Sequence, residues 1–418
     1  MARQMKESGV SWIGQIPQSW EVVRTKNCYT HKKQVVGEDA DNFERLALTL
    51  NGVIKRPKDD ATGLQPEAFN SYQILRENEL VFKLIDLANV ATSRVGYSPY
   101  EGIVSPAYII LNPNKYDESR FGEYYFLSMW QREVFNHMGD DGVRSSLNAG
   151  DLLNIPYLLA PSHEKEKIVK FLDKKCAEID SVVSKTKTSI DEYKSLKRVL
   201  ITETVTKGVS KCHSTKDSGI EWIGLIPSHW NVKRFKAFAK TIKGKSIDVL
   251  TEPTEESVKV LSVEALRQDE AQFYDYVHVD DDKQLCTPND IVVIWDGAGV
   301  GEFLKAKDGA LSSTIAKIQL TNKSIILPYL WYWRYKIEYR LKSIPTGMGI
   351  PHLNPTLLNN FMIAVPPVEE QQAIAEYLDK KTAEIDNNIS LIEQKISTYK
   401  RLKQSLIDEV VTGKRKIN

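Results

Sequence analysis

The 418-residue chain has few cysteines, no excess of either charge and no long hydrophobic run. Its four cysteines lie far apart without a Cys-x-x-Cys pair, which argues against both a disulfide framework and a zinc knuckle. No apolar stretch approaches the ~18 residues of a membrane span, and the N-terminus has no hydrophobic signal core. We therefore expect a cytoplasmic protein with reduced thiols.

The balance of charge limits how the chain could bind nucleic acid. Lysine and arginine total 56 residues against 55 for aspartate and glutamate, whereas a protein that grips DNA unaided carries a strong positive charge. If this chain binds DNA, we expect partner proteins to neutralise much of the phosphate charge. At ~150 residues per domain, its length predicts two to three domains.

Motifs of catalysis and cofactor binding are incomplete. Residues 243–246 end like a phosphate-binding loop, but Ala239 stands where its first glycine must be. The glycines of residues 297–301 do not have the G-x-G-x-x-G spacing. His163 lacks the second histidine of an H-E-x-x-H zinc motif, and no Asn-Pro-Pro-aromatic motif of amino-methyltransferases occurs. We predict no catalytic centre and no metal site in this chain.

The chain contains an internal duplication. Residues 6–24 match residues 216–234 at 11 of 19 positions. A second pair, residues 171–180 (FLDKKCAEID) and residues 377–386 (YLDKKTAEID), recurs at a similar offset. The regions between these repeats have similar lengths but dissimilar sequences. This pattern predicts one fold that occurs twice with two different sets of loops.

Each half ends in a long heptad pattern, in which seam residues alternate at intervals of four and three. The predicted coiled-coil seam is Leu172, Ile179, Val183, Ile190, Tyr193 and Leu200 in the first half and Leu378, Ile385, Ile389, Ile392, Ile396, Tyr399 and Leu406 in the second. Two equivalent helices in one chain can cover each other's seams, most simply when antiparallel.

Short β-branched runs broken by glycine, proline and asparagine indicate mixed α and β globules between these helices. We therefore predict an α+β fold with a pseudo-twofold duplication, in which two mixed globules are separated by two long helices paired as an antiparallel coiled coil. The predicted boundaries are 1–160 for the first globule, 161–208 for the first helix, 209–366 for the second globule and 367–418 for the second helix.

The divergent regions contain loops that combine cations with turn-forming or aromatic residues. Such residues contact phosphates and read base edges in DNA, although a solvated charged turn is an equal alternative for any single loop. The candidate DNA-binding residues are Lys55, Arg56, Lys58, Arg94, Tyr97, Arg144 and Ser145 in the first half and Lys243, Lys245, Lys305, Lys307, Met348 and His352 in the second.

Together, the architecture and motifs resemble the DNA specificity subunit of type I restriction-modification systems, over essentially the whole chain. The resemblance rests on Trp-Ile-Gly-x-Ile-Pro-x-x-Trp at residues 12–20 and 222–230, and on Pro-Pro-x-Glu-Glu-Gln-Gln at residues 366–372. It also rests on the two similar helical segments. One departure is His-Glu-Lys-Glu-Lys at residues 163–167, which replaces the Glu-Gln-Gln of residues 370–372.

The resemblance implies two target recognition domains, each reading one half of an asymmetric bipartite site in double-stranded DNA. It implies helices that set the spacer and dock two modification (methyltransferase) subunits, which in turn bring restriction subunits. The chain itself would be a non-catalytic subunit without a cofactor. S-adenosylmethionine would bind the modification subunits, and ATP and Mg the restriction subunits.

Two other interpretations remain. Heptads and duplication alone allow a non-catalytic coiled-coil adaptor that binds proteins rather than DNA. A self-contained nuclease or methyltransferase is the other, but the sequence lacks the motifs that it would need.

Overall fold

The computed structural model describes residues 3–50, 52–60, 68–85, 87, 94–138, 146–210, 214–246, 248–268, 275–342 and 351–417. The chain divides into two compact units, of which the first contains residues 1–187 and 393–418 and the second contains residues 188–392. Each unit combines an α/β globule with one part of each long helix. The predicted α+β class is confirmed.

The first unit is built around an antiparallel four-stranded sheet with the strand order β4-β11-β8-β9. Buried aliphatic and aromatic side chains of these strands, such as Leu80, Phe82 and Leu111, form the core with helix α1. Its elements are β1 Met5–Glu7, β2 Gln15–Pro17, β3 Glu21–Arg24, β4 Tyr29–Thr30, β5 Leu46–Thr49, β6 Gly52–Lys55, β7 Gln73–Leu75, β8 Leu80–Phe82, β9 Val95–Tyr97, β10 Gly102–Val104, β11 Ile109–Pro113, β12 Pro156–Leu159, α1 Tyr116–Gln131, α2 Ala149–Asn154 and the start of α3 Ser162–Lys207.

The second unit has a corresponding antiparallel sheet with the order β16-β23-β20-β21. It also has a second four-stranded sheet, β18-β17-β22-β19, in which β17 and β22 run parallel. Its elements are β13 Thr215–Asp217, β14 Leu225–Pro227, β15 Asn231–Arg234, β16 Ala239–Lys243, β17 Val258–Leu261, β18 Tyr276–Val277, β19 Leu285–Cys286, β20 Ile291–Ile294, β21 Phe303–Lys305, β22 Gly309–Leu311, β23 Ile315–Leu320, β24 Met362–Val365, α4 Val263–Arg267, α5 Leu327–Lys342, α6 Pro355–Asn359 and most of α7 Val368–Val411.

The duplicated tryptophan motif anchors each globule to the start of a long helix. Trp20 and Trp230 are fully buried. The indole Nε1–H of Trp20 donates to Glu164 Oε2 at 3.0 Å, and that of Trp230 donates to Glu370 Oε2 at 2.9 Å. Because each carboxylate lies in the first turn of α3 or α7, where negative charge is favoured, the contact also stabilises the helix start.

The long helices pack antiparallel within each unit. In the first unit Lys403 Nζ lies 2.6 Å from Asp180 Oδ2, and in the second unit Lys197 Nζ lies 2.6 Å from Asp386 Oδ2. The thirteen predicted seam residues are all buried or half-buried, whereas Leu402, which lies off the seam, is 53% exposed. A recurring seam lysine thus pairs with an aspartate of the opposite helix. Among the described residues, no helix is long and apolar enough to cross a membrane.

Candidate nucleic-acid interface

Three predicted cations of the first unit lie at and just beyond the end of β6, each paired within the protein. Lys55 Nζ lies 2.6 Å from Glu44 Oε2, and this hydrogen bond raises the pKa of the lysine. Arg56 Nε lies 2.8 Å from Asp60 Oδ2, and Lys58 donates to a backbone carbonyl oxygen at 2.7 Å. These contacts orient the three cations, and the neighbouring carboxylates offset much of their positive charge.

The remaining candidates of the first unit differ in accessibility. Arg94 is 1% exposed, so its burial favours a structural role over contact with DNA. Tyr97 is half-buried, and its hydroxyl donates to Asn78 Oδ1 at 2.7 Å. Arg120 lies over the Tyr97 ring at 4.9 Å from its centroid. Arg144 and Ser145 lie outside the described residues.

In the second unit, Asp296 brings two predicted residues together. Lys243, the last residue of β16, places Nζ 2.7 Å from Asp296 Oδ2. His352 places Nδ1 2.6 Å from Oδ1 of the same carboxylate. Lys243 also lies 5.9 Å from the centroid of the Trp295 ring. We call Lys243, Asp296 and His352 the Asp296 cluster.

The electrostatics of the Asp296 cluster favour an ionised carboxylate. Desolvation by burial acts to raise the pKa of Asp296, but the hydrogen bonds and charges of His352 and Lys243 outweigh it, so the pKa lies below its ordinary value. The side chain of Asp296 is 18% exposed. It is therefore a hydrogen-bond acceptor at neutral pH, at the edge of solvent.

The other predicted cations of the second unit do not join this cluster. Lys305 Nζ lies 5.4 Å from the centroid of the Trp331 ring, and Lys307 Nζ donates to Ala265 O at 2.8 Å. Lys245 Nζ lies 4.0 Å from Asp281 Oδ2. Met348 lies outside the described residues.

Sequence analysis did not single out Asp296. Its partners are 53 and 56 residues away along the chain, so local spacing gave no indication of the contact. The available signal was its position directly after the buried run Ile291–Ile294 and Trp295, because strand ends hold polar groups rigidly. No group of His, Cys, Asp and Glu among the described residues could hold a metal ion.

The departure at residues 163–167 corresponds to a buried polar network in the first unit. Lys165 and Glu118 form an ion pair in which both side chains are 2% exposed. Tyr157 donates its hydroxyl to Glu118 Oε2 at 2.6 Å, and the hydroxyls of Tyr157 and Tyr29 lie 3.0 Å apart. Burial raises the pKa of both tyrosines well above its ordinary value.

The second unit fills the same place with a neutral amide. Gln371, which corresponds to Lys165 in the repeat, is fully buried. Its Oε1 accepts from the backbone N–H of Ile326 at 3.0 Å, and its Nε2 donates to Pro366 O at 2.9 Å and Ser324 O at 2.8 Å. The two units therefore join globule and helix by different chemistry.

One tyrosine hydrogen bond in each unit shows which residues correspond at this joint. The hydroxyl of Tyr124 donates to Asp173 in the first unit, and that of Tyr332 donates to Asp379 in the second. This correspondence places Glu118 and Ile326 at equivalent positions. The charged pair of the first unit thus has a neutral counterpart, Gln371 with Ile326.

Comparison with known proteins shows which proteins this chain is similar to. Residues 227–397 match the family model described as the type I restriction modification DNA specificity domain. The type I restriction enzyme MjaVIII specificity subunit of Methanocaldococcus jannaschii is 35% identical over 188 residues, which cover 45% of this chain and 43% of the relative. The chain therefore aligns with less than half the length of that relative.

Two further similarities extend along almost the whole chain. The putative type I restriction enzyme MjaX specificity subunit of the same organism is 23% identical over 431 aligned positions, covering 96% of this chain and 95% of the relative. One solved structure has a TM-score of 0.70 at 16% identity, and the match covers 95% of this chain and 98% of the chain in that structure. It is described as the structural basis underlying complex assembly and conformational transition of the type I R-M system. At this identity, the structural similarity shows the fold alone. The family model matches residues 227–397 and the named relatives are specificity subunits of type I restriction enzymes, so this chain is similar to that family.

Proposed function

We propose that this chain is the DNA recognition subunit of a type I restriction-modification complex and that each unit reads one half of an asymmetric bipartite site. One observation carries the proposal: the central sheets have corresponding strand orders, β4-β11-β8-β9 and β16-β23-β20-β21, whereas the strands around them differ. Equivalent frames present their surfaces to DNA in the same way, and different surfaces read different bases. Identical surfaces would instead read a palindrome.

The long helices set the spacer between the half-sites in this proposal. Helix α3 contains 46 residues and α7 contains 44, and a helix rises ~1.5 Å per residue. Deleting residues 185–191 from α3 and 391–397 from α7 removes one heptad from each, or about 10 Å. The spacer of the recognised site should then change by about 3 base pairs, at 3.4 Å per pair. An unchanged spacer would contradict the ruler role.

The proposal assigns chemistry to partner subunits. The chain docks two modification subunits that carry S-adenosylmethionine, and through them restriction subunits that use ATP and Mg, in a prokaryotic cytoplasm. The chain has 56 basic and 55 acidic residues, so partners would also supply positive charge for binding DNA. Purified chain with S-adenosylmethionine and DNA should transfer no methyl group.

An exchange of one globule tests the proposal. The chain is co-expressed with its modification subunit, and residues 25–146 are replaced by the corresponding region of another family member. Only one half of the methylated motif should change. A change in both halves would contradict the assignment of one half-site to each unit. Loss of both methylation and DNA binding, with a soluble complex, would favour the protein-binding adaptor.

A further inference from the structure

The fold brings the polar side chains of the Asp296 cluster together from three separate segments of the chain. Lys243 comes from the end of β16, Asp296 follows β20, and His352 forms an isolated β-bridge with Asp296. An ionised carboxylate has about four lone-pair sites. The contacts to Lys243 and His352 use two of them, so each oxygen can accept a further hydrogen bond.

The charge of the cluster allows a carboxylate to approach DNA. An isolated aspartate would be repelled by the phosphates, but Lys243 at 2.7 Å neutralises Asp296. With His352 neutral the cluster has no net charge, and with His352 protonated it has a charge of +1. The carboxylate therefore retains its capacity to accept hydrogen bonds without a net negative charge.

The backbone around Asp296 is held by hydrogen bonds on both sides. The N–H groups of Trp295 and Asp296 donate to Thr314 O at 2.8 and 3.2 Å, and the N–H of Gly297 donates to Pro351 O at 2.9 Å. A group that discriminates between bases must be fixed before the DNA arrives, and this hydrogen bonding provides such a support.

The space beside Gly297, the residue that follows Asp296, is open among the described residues. Gly297 has φ +91°, and a Cβ atom added there would have no heavy atom of the described residues within 4 Å, apart from those of its two chain neighbours. The glycine thus adds no side chain between the carboxylate and an approaching ligand. Lys243 and His352 flank the carboxylate with side chains that are 42% and 66% exposed.

We propose that Asp296 is a specificity-determining residue, which accepts a hydrogen bond from the exocyclic amino group of a cytosine or an adenine in the half-site that the second unit reads. These amino groups are the base-edge donors of the major groove, and a carboxylate is a suitable acceptor for them. Lys243 and His352 position the carboxylate and offset its charge. The inference rests on the proposed function.

The experiment compares methylated motifs in cells that express the full chain with its modification subunit. The variants are Asp296→Asn and Asp296→Ala, and the control is Asp280→Asn, which changes an exposed carboxylate of the same unit. Asp296→Ala should relax one position in one half of the motif, with discrimination there falling about ten-fold. The other half should stay unchanged.

The asparagine variant identifies the base. An asparagine side chain pairs with adenine through an acceptor and a donor, so Asp296→Asn should shift a cytosine position toward adenine and leave an adenine position as adenine. This variant also preserves side-chain size, and thermal unfolding of both variant proteins verifies that the second unit folds. A motif unchanged at every position in folded variants, with methylation uniformly slower or unaffected, would overturn the inference.

The wild-type chain separates this result from failure of the proposed function. A bipartite motif for the wild type with no change in the Asp296 variants refutes the role of Asp296 and leaves the proposed function intact. The absence of a bipartite motif for the wild type refutes the proposed function, and the inference fails with it.

Discussion

The buried Lys165–Glu118 pair predicts a stability defect that a second substitution should repair. Both side chains are 2% exposed, so solvent provides almost no screening or compensation if one charge is removed. Removing one partner of a buried ion pair costs about 3–5 kcal/mol, whereas replacing both partners is often nearly neutral. The second unit has the neutral version, with Gln371 opposite the backbone of Ile326.

The perturbation is therefore Lys165→Gln alone, Glu118→Ile alone and the two together. Each single substitution should lower the free energy of unfolding of the first unit by about 3–5 kcal/mol. The loss should be smaller for Lys165→Gln, because the new glutamine can donate a hydrogen bond to Glu118. For a unit of this size, ~3–5 kcal/mol corresponds to a fall in Tm of about 6–20 °C. The double variant places the second unit's residues at these two positions, removes both buried charges and should recover part of the loss.

The assay is calorimetric unfolding of the full chain, with the transition of the first unit followed separately because two units can unfold in separate steps. Lys167→Gln is the matched control, since Lys167 is exposed on the same turn of α3 and should change stability by no more than about 0.5 kcal/mol. The refuting result is additivity. If the double variant loses the sum of the two single losses, Lys165 and Glu118 are not energetically coupled.

Two further predictions concern the helix seam and the cysteines. Leu406→Ala should destabilise the first unit by about 2–5 kcal/mol, because Leu406 is 7% exposed. Leu402 is 53% exposed, so Leu402→Ala should change stability by about 0.5 kcal/mol or less. Chemical denaturation measures both effects, and equal effects would contradict the seam assignment. Burial raises the pKa of Cys28 and Cys176 to about 11 and that of Cys286 to about 12. These thiols should therefore react with iodoacetamide at pH 7.5 far more slowly in the native chain than after unfolding. Peptide mass spectrometry measures the two rates. Equal rates in the native and unfolded chain would show that the thiols are accessible.

Sequence patterns predicted the long helices well because their signal is local and periodic. A heptad repeat places every seam side chain on one face, and the helices Ser162–Lys207 and Val368–Val411 have these side chains buried or half-buried. The tryptophan motifs were recognised as a repeated frame, but their role was not. The contacts of Trp20 with Glu164 and of Trp230 with Glu370 join residues 144 and 140 positions apart.

The candidate site was predicted less completely because it depends on long-range contacts. Cations in loops were identified by residue type, yet burial decides what each one can contact, and Arg94 is 1% exposed. Asp296 could not be predicted from the sequence, because DNA binding is indicated by positive charge and the two partners of Asp296 are distant along the chain. Likewise, the sequence showed residues 163–167 only as a departure from the Glu-Gln-Gln pattern, because the pairing of Lys165 with Glu118 depends on tertiary packing.

The measurement that tests the central claim most directly is single-molecule sequencing of methylated adenines in DNA from cells that express this chain with its modification subunit. The account predicts one asymmetric bipartite motif, methylated in both halves, that is absent from cells without the chain. A palindromic motif, a motif in one continuous block, or a methylation pattern independent of the chain would contradict it.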